Sequence, residues 1–401
     1  MLLEIANKRI LIIGFGKEGR SVYNYFRRLG GYASLTVEAS ATTDNINFDD
    51  FDIVVKSPGV PMHQSPSNMT SLTELFLSEN RKKTIGITGT KGKSTVSALI
   101  DHVLNFYGKI AILVGNIGVP AFDRIDKITT ATNIVYEMSS HQLQFCKHSP
   151  HIAVFLNLYP EHLDYYNDFE EYSNAKKHVY QAQSAEDYLI CNSKLDVSNA
   201  KSQVIKVDES TPPKFQPPQL LGKHNGYNIN IAAQVAKLFG IDDITEALVN
   251  FKPLPHRLEP FADVNGVLYY DDSISTIPET AITAIESITD LSTILIGGYD
   301  RGVDYTPLIK VIKSGAVENV ILMSDTGARI YKQMGSPKNS ANKLPKIYYA
   351  GMLSEAVALA RKITPSGRSC VLSPASASYN EFKNFEERGD MFKKLVLGKN
   401  E

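Results

Sequence analysis

The segment TIGITGTKGKSTVSALIDHVL, residues 84–104, constrains the chain more than any other stretch. Thr84–Thr88 alternates like a short strand. Gly89, Thr90, Lys91, Gly92 and Lys93 make a tight basic loop. Val96, Leu99, Ile100, Val103 and Leu104 then recur at helical spacing. Strand, glycine loop and helix in that order point backbone N–H groups and a positive helix end at phosphates. The strict P-loop spacing is not met, because Ile87 stands where its first glycine belongs. What remains is a shortened loop that still favours a nucleoside triphosphate. Lys93 reaches the outer phosphates, and Ser94 or Thr95 offers a hydroxyl to Mg²⁺.

Composition sets the frame for that loop. The chain has 401 residues, 43% hydrophobic and 21% charged, which predicts two or three globular domains with real cores. A formal net charge of -1 gives no footprint for nucleic acid or a membrane surface. Cys146, Cys191 and Cys370 have no paired spacing and read as thiols of a reducing compartment. No stretch is long enough to span a bilayer, and residues 1–9 lack a signal-peptide core. A cytoplasmic enzyme is the expected class.

Strands alternate with helical patterns along the chain, so an α/β fold with parallel sheets is expected. Strand after strand ends in a small or reactive residue: Gly14, Ser57, Gly89, Glu137, Asn157, Asp272, Gly297 and Ser373. Ligands in such sheets bind beyond the strands' carboxyl ends. Gly14-Phe15-Gly16-Lys17-Glu18-Gly19 fits G-x-G-x-x-G, with Glu38 at about the ~20-residue distance of a ribose-binding acid. The phosphate loop arrives before a second half of a dinucleotide fold could fit. Half a fold suits one nucleotide diphosphate, and the turn could equally serve helix–strand packing alone.

Glu137 and His162 close two strands beside the phosphate loop and can ligand metals. A hard ion such as Mg²⁺ would take Glu137, Ser94 and phosphate oxygens. His141, His148, His151 and His178 read as structural hydrogen-bonders. The lysines of EYSNAKKHVYQ, taken alone, are a solvated basic face. Asn225 and Asn228 share a face of a helix start, where they could read a base, or Asn225 could cap the helix. Arg257 follows a proline-ruled turn and could fork onto a phosphate or brace a domain junction.

These pieces, in this order, resemble the Mur ligases over essentially the whole chain. IIGFGKEG and KSPGV resemble the family's uridine-nucleotide domain. GITGTKGKST, GNIG, YEMSSHQL, NLYPEHLDYY, YSNAKK and GKHNGYN resemble its ATPase domain. LPHRLE, YYDDSIST, IGGYDRG and LSPASASYNEFKNFEERGDMF resemble its amino-acid domain.

The resemblance implies three domains. A Rossmann-like substrate domain covers 1–82, a P-loop ATPase-type domain with a parallel sheet 83–252, and a Rossmann-like amino-acid domain 253–401. It implies a monomer that adds D-glutamate to UDP-N-acetylmuramoyl-L-alanine, with ATP and two Mg²⁺ ions, through an acyl phosphate. That reaction belongs to peptidoglycan precursor synthesis. Gly89–Thr95, Asn225, Asn228, Arg257 and Asp272 would hold ATP. Ser94 and Glu137 would hold one ion, and His162 and a carbamylated Lys176 the second. Gly14–Glu18, Ser57, Pro58, Gly59, Asn116 and His162 would face the uridine substrate, with the uracil near Glu38 and Ala39. Thr276, Arg301, Ser378, Tyr379 and Phe385 would surround the amino acid.

Ile274 departs from the family pattern, standing where many members carry a lysine that faces the amino acid, which leaves Arg301 as the candidate cation. Three other readings stay open. One is a different Mur-type or folylpolyglutamate-type ligase. Another is a nicotinamide-dependent oxidoreductase built on Gly14–Gly19. The last is a nucleotide-binding protein without turnover.

Overall fold

The computed structural model describes residues 5–39, 46–62, 65–334 and 344–398. Residues 1–4 of the N-terminal segment and the stretch just after Ala39 lie outside them. The fold is α/β with three sheets. The first contains β1 (Arg9–Ile13), β2 (Ser34–Glu38), β3 (Ile53–Lys56) and β4 (Met69–Ser71), in the order β2-β1-β3-β4, all parallel. The second contains β5 (Thr84–Thr88), β6 (Ala111–Gly115), β7 (Asn133–Glu137), β8 (Ile152–Phe155), β9 (Tyr188–Asn192) and β10 (Gln203–Val207). Its order is β10-β9-β8-β5-β7-β6, also parallel.

The third sheet contains β11 (Glu259–Val264), β12 (Val267–Asp271), β13 (Leu291–Gly297), β14 (Asn319–Met323), β15 (Lys346–Ala350) and β16 (Ser369–Leu372). Its order is β11-β12-β16-β13-β14-β15. Here the expected parallel pattern has an exception, since β11 runs antiparallel to β12. The Asn265–Gly266 turn joins them with both residues at positive φ, the backbone a tight hairpin needs.

The chain divides into two compact units, Met1–Gln216 with Gly226–Phe251, and Pro217–Asn225 with Lys252–Glu401. The first two sheets belong to the first unit. One apolar core serves both: Ile10, Ile12 and Phe26 join Phe76, Phe122, Ile134 and Tyr136 in a single cluster. Tyr25 packs on Phe122 at 5.0 Å, and Phe76 meets Tyr136 edge-on at 5.5 Å. The helix Leu72–Asn80 supplies the joining residues, and Ser71 caps it by accepting from Glu74 N–H. In the second unit, separate clusters cover the two faces of the third sheet. Strands β5, β8, β13 and β14 are buried along their whole length, as strands covered on both faces should be.

In the second sheet β5 lies between β8 and β7, where the strand order turns back. A crevice opens at the carboxyl ends of strands at such a point. The chain places GTKGKST there.

Candidate active site

The phosphate loop leaves β5 at Gly89 and enters the helix Lys93–Phe106 through Gly92, which has φ +88°. A Cβ on Gly92 would lie 2.9 Å from Asn228 Oδ1, so the glycine admits the close approach of Asn228 to the loop. Asn157, at the end of β8, braces the loop. Its Oδ1 accepts from Thr90 N–H at 3.1 Å and Lys91 N–H at 2.8 Å, and its Nδ2 donates to Lys91 O at 3.0 Å. In the sequence Asn157 stands out only as a strand end. A residue that shapes a loop from another strand leaves no local signal.

Lys93 Nζ donates to Gly89 O at 2.9 Å and Thr90 O at 3.0 Å. Lys176 Nζ donates to the same Gly89 carbonyl at 2.8 Å. Lys176 therefore does not lie on a solvated face, as the helical lysine run read alone suggests: it is 2% exposed. The helix Phe169–Gln181 turns it inward with Tyr172, Ala175 and Val179, and Tyr172 sits beneath the amine with its ring centre 4.8 Å away. Burial holds the Lys176 pKa well below the usual lysine value, and Lys93 lowers it further. A neutral amine is thereby favoured.

Glu137 ends β7, fully buried. Its Oε1 accepts from Asn116 Nδ2 at 2.8 Å, and its Oε2 has no hydrogen-bond partner among the described residues. A buried carboxylate oxygen left in this way calls for a cation. Together with Ser94 at the start of the phosphate helix, it fits a hard divalent ion with oxygen ligands. His162 adopts a left-handed backbone, φ 57°, and its ring stands 4.8 Å from His141. Burial lowers its pKa, which favours the neutral ligating imidazole. Lys91 pairs with Glu161 at 2.7 Å beside it. Lys93, Glu137, His162 and Lys176 are close enough that Lys176 is electrostatically coupled to the other three.

The glycine turn follows β1. Gly14 N–H donates to Glu38 O at 2.8 Å, and Ser57 Oγ donates to Gly14 O at 2.7 Å. A Cβ on Gly19 would fall 2.1 Å from Gly14 O, so this glycine serves helix–strand packing. Gly16 has open space around it. Phe15 stacks edge-on with Tyr23 at 5.5 Å, and Lys17 begins the helix Lys17–Leu29. Glu18 turns inward to the amide of Gln142, a residue that sequence reasoning did not single out.

In the second unit, Asp272 accepts from Leu258 N–H at 3.0 Å and from Ser373 Oγ at 2.8 Å, and also from Ser275. Burial raises its pKa to about 6. It anchors the turn that carries Arg257, whose charge reaches both Asp272 and His224. Asn225, 8% exposed, is the third residue of the helix Lys223–Leu238, and its side chain donates to Leu221 O at 2.7 Å. His256, adjacent to Arg257, is held by Asp271 at 2.7 Å, and Lys393 bridges Glu259 at 2.6 Å and Asp271 at 3.4 Å. His256, Glu259 and Asp271 thus form a cluster whose cation is already Lys393.

Arg301 Nη2 donates to Thr276 O at 3.2 Å, which brings together two of the residues expected around an amino acid. Ser273 Oγ donates to Phe385 O at 2.8 Å. Arg388, unremarked in the sequence reading, donates to Ser273 O at 2.8 Å and Ser376 O at 3.0 Å. That guanidinium ties together the loops bearing Thr276, Ser378 and Phe385. Ser378 is buried, Tyr379 is exposed, and Ile274 N–H donates to His256 O at 3.1 Å. The three cysteines are free and buried. Among the described residues no helix is long and apolar enough to cross a membrane.

Comparison with known proteins gives concordant results. Residues 87–232 match the Mur ligase middle domain. A UDP-N-acetylmuramoyl-L-alanine--L-glutamate ligase of Salinispora tropica is 30% identical, the alignment covering 98% of each chain. A UDP-N-acetylmuramoylalanine--D-glutamate ligase of Acetivibrio thermocellus is also 30% identical, over 98% of this chain and 97% of its own. Among solved structures, the MurF ligase of Thermotoga maritima in complex with ADP superposes with a TM-score of 0.64 at 15% identity, covering 100% of this chain and 98% of its own. MurC of the same organism gives 0.61 at 16% identity, covering 98% and 100%. Those identities establish a shared fold. The near-complete coverage by relatives at 30% identity establishes more, and the chain belongs to the Mur ligase family.

Proposed function

We propose that this protein is an ATP-dependent ligase that joins D-glutamate to UDP-N-acetylmuramoyl-L-alanine in peptidoglycan precursor synthesis. The observation that carries the reading is the buried, unpartnered Glu137 Oε2 beside a lysine-bearing phosphate loop. A carboxylate is a poor acyl donor. Transfer of the ATP γ-phosphoryl group to it makes an acyl phosphate, and the amine of glutamate then displaces phosphate. Phosphoryl transfer asks the protein mainly for positioning and charge neutralisation. Lys93 and the loop N–H groups supply these around the phosphates, with Asn225, Asn228, Arg257 and Asp272 assigned to the nucleotide.

Ser94 and Glu137 would hold one Mg²⁺, and His162 with a carbamylated Lys176 a second; bound there, the ions neutralise crowded phosphate oxygens. The low Lys176 pKa supports carbamylation, since only a neutral amine adds CO₂. Gly14–Glu18, Ser57–Gly59 and Asn116 are assigned to the uridine substrate, and Thr276, Arg301, Ser378, Tyr379 and Phe385 to the amino acid. In this reading residues 1–82, 83–252 and 253–401 act as three functional domains of a cytoplasmic monomer.

L-glutamate is the second reading. The name of the Salinispora tropica relative favours it, and Ile274, which cannot pair with a carboxylate as the family's lysine does, leaves the amino-acid grip to other residues for either enantiomer. ADP release with UDP-N-acetylmuramoyl-L-alanine, measured with D-glutamate, L-glutamate or neither, separates the two. Release only with the D-enantiomer is the expected result. No release with either would sink the ligase reading. Reduction of NAD without ATP would revive the oxidoreductase.

A further inference from the structure

Beside the glycine turn lie a buried ammonium, Lys56, and a half-buried carboxylate, Glu18, with one oxygen cut off from solvent, and the two form no ion pair. Lys56 ends β3, level with Ile13 of β1 and one residue before the Gly14 turn. It is 3% exposed. Its ammonium donates to Tyr165 OH at 3.1 Å and weakly to Ser57 O at 3.4 Å. Tyr165 OH already has the acceptors Val60 O and Gln144 Oε1, each at 2.9 Å, for its single proton. Lys56 is in ion-pair contact with no carboxylate among the described residues. Glu18, in the first turn of the helix after the glycine turn, donates nothing and accepts only from Gln142, and its second oxygen has no partner.

A buried ammonium without a paired anion and a half-buried carboxylate with an orphaned oxygen are each costly. Both flank the turn where a diphosphate is expected, at the carboxyl ends of β1 and β3. We propose that Lys56 binds the diphosphate of the nucleotide substrate, and that Glu18 is the counter-charge that balances this lysine until the substrate arrives. The inference rests on the ligase reading for the identity of the substrate and adds a binding residue to it.

The groups that face Lys56 are Glu18 from the helix Lys17–Leu29, Cys146 and His141 from the segment around the helix Ser140–Leu143, and Tyr165 from the loop after β8. Tyr136 also faces Glu18. Burial lowers Lys56 to about 8 and raises Glu18 to about 7. An arriving diphosphate draws Lys56 toward itself and leaves Glu18 beside a second negative charge. Glu18 then takes a proton from solvent.

The test is calorimetric titration of the full chain with UDP at pH near 7.5, in buffers of different ionisation heat, alongside steady-state kinetics. Lys56→Met should weaken UDP binding and raise KM for the uridine substrate by about tenfold or more, with KM for ATP and glutamate unchanged. Wild-type binding should take up protons, and Glu18→Gln should reduce the uptake to the share that Lys56 itself contributes. If Lys56→Met does not fold, the charge-neutral Lys56→Met/Glu18→Gln pair should fold and show the same loss. UDP affinity within about twofold of wild type in a folded Lys56 variant overturns the proposal, and so does a fall in kcat with no change in KM. A wild-type protein that neither binds UDP nor releases ADP would instead bring down the ligase reading.

Discussion

Lys176 shows how a single side chain changes meaning with its surroundings. Burial, and after it the charge of Lys93, lowers its pKa, and Gly89 O holds the amine in place. Lys176→Gln should therefore cost about a hundredfold or more in kcat while leaving the fold intact. The companion measurement is a carbamate signal in ¹³C NMR after ¹³CO₂ exposure, present in wild type and lost in the variant. Lys93→Ala should abolish turnover with circular dichroism unchanged, and near-normal ADP release would contradict the phosphate-loop assignment. His256 makes a pH prediction. Its hydrogen bond to Asp271 raises its pKa above the unfolded value. The stabilisation is then fully present below about pH 6.5 and fades as pH rises through the raised value. Denaturation of wild type and His256→Asn should diverge most on the acidic side of that window and converge above it.

Elements position these residues by devices that short-range patterns register only in part. The helix Phe169–Gln181 begins at Asp168, whose side chain accepts from Glu171 N–H at 2.8 Å. Asp168→Ala should cost about 1 kcal/mol of stability by chemical denaturation. It should also lower kcat, because the first turns of this helix carry Tyr172 and aim Lys176. Asn157 acts on a neighbouring element, so Asn157→Ala should raise KM for ATP by about tenfold, while KM for the uridine substrate stays constant. The strand–loop–helix at 84–106 was legible from alternation, glycines and helical spacing. The β11–β12 hairpin carried its own signal in Asn265-Gly266, but the surrounding strand–helix alternation pointed to parallel pairing and masked it. Arg388 and Gln142 lie inside quoted motifs but do not stand out there, since their partners Ser273 and Glu18 are more than a hundred residues away in sequence.

At the scale of the whole molecule, two compact units with separate apolar clusters predict that heat unfolding is not two-state. Differential scanning calorimetry should give a calorimetric enthalpy exceeding the van't Hoff value, and a single two-state transition would contradict this. By itself the sequence determined the α/β class, the order of the motifs, the phosphate loop and the family, because those are set by local spacing and residue type. Tertiary structure decided which polar side chains lost their water. The lysine run of EYSNAKKHVYQ, taken alone, reads from sequence as a solvated face, and nothing local in the sequence marks Lys56 as buried. Only burial, at 2% for Lys176 and 3% for Lys56, separates these desolvated amines from surface charge. Burial is a sum over contacts from distant strands, and desolvation, which shifts the pKa values, depends on that sum alone.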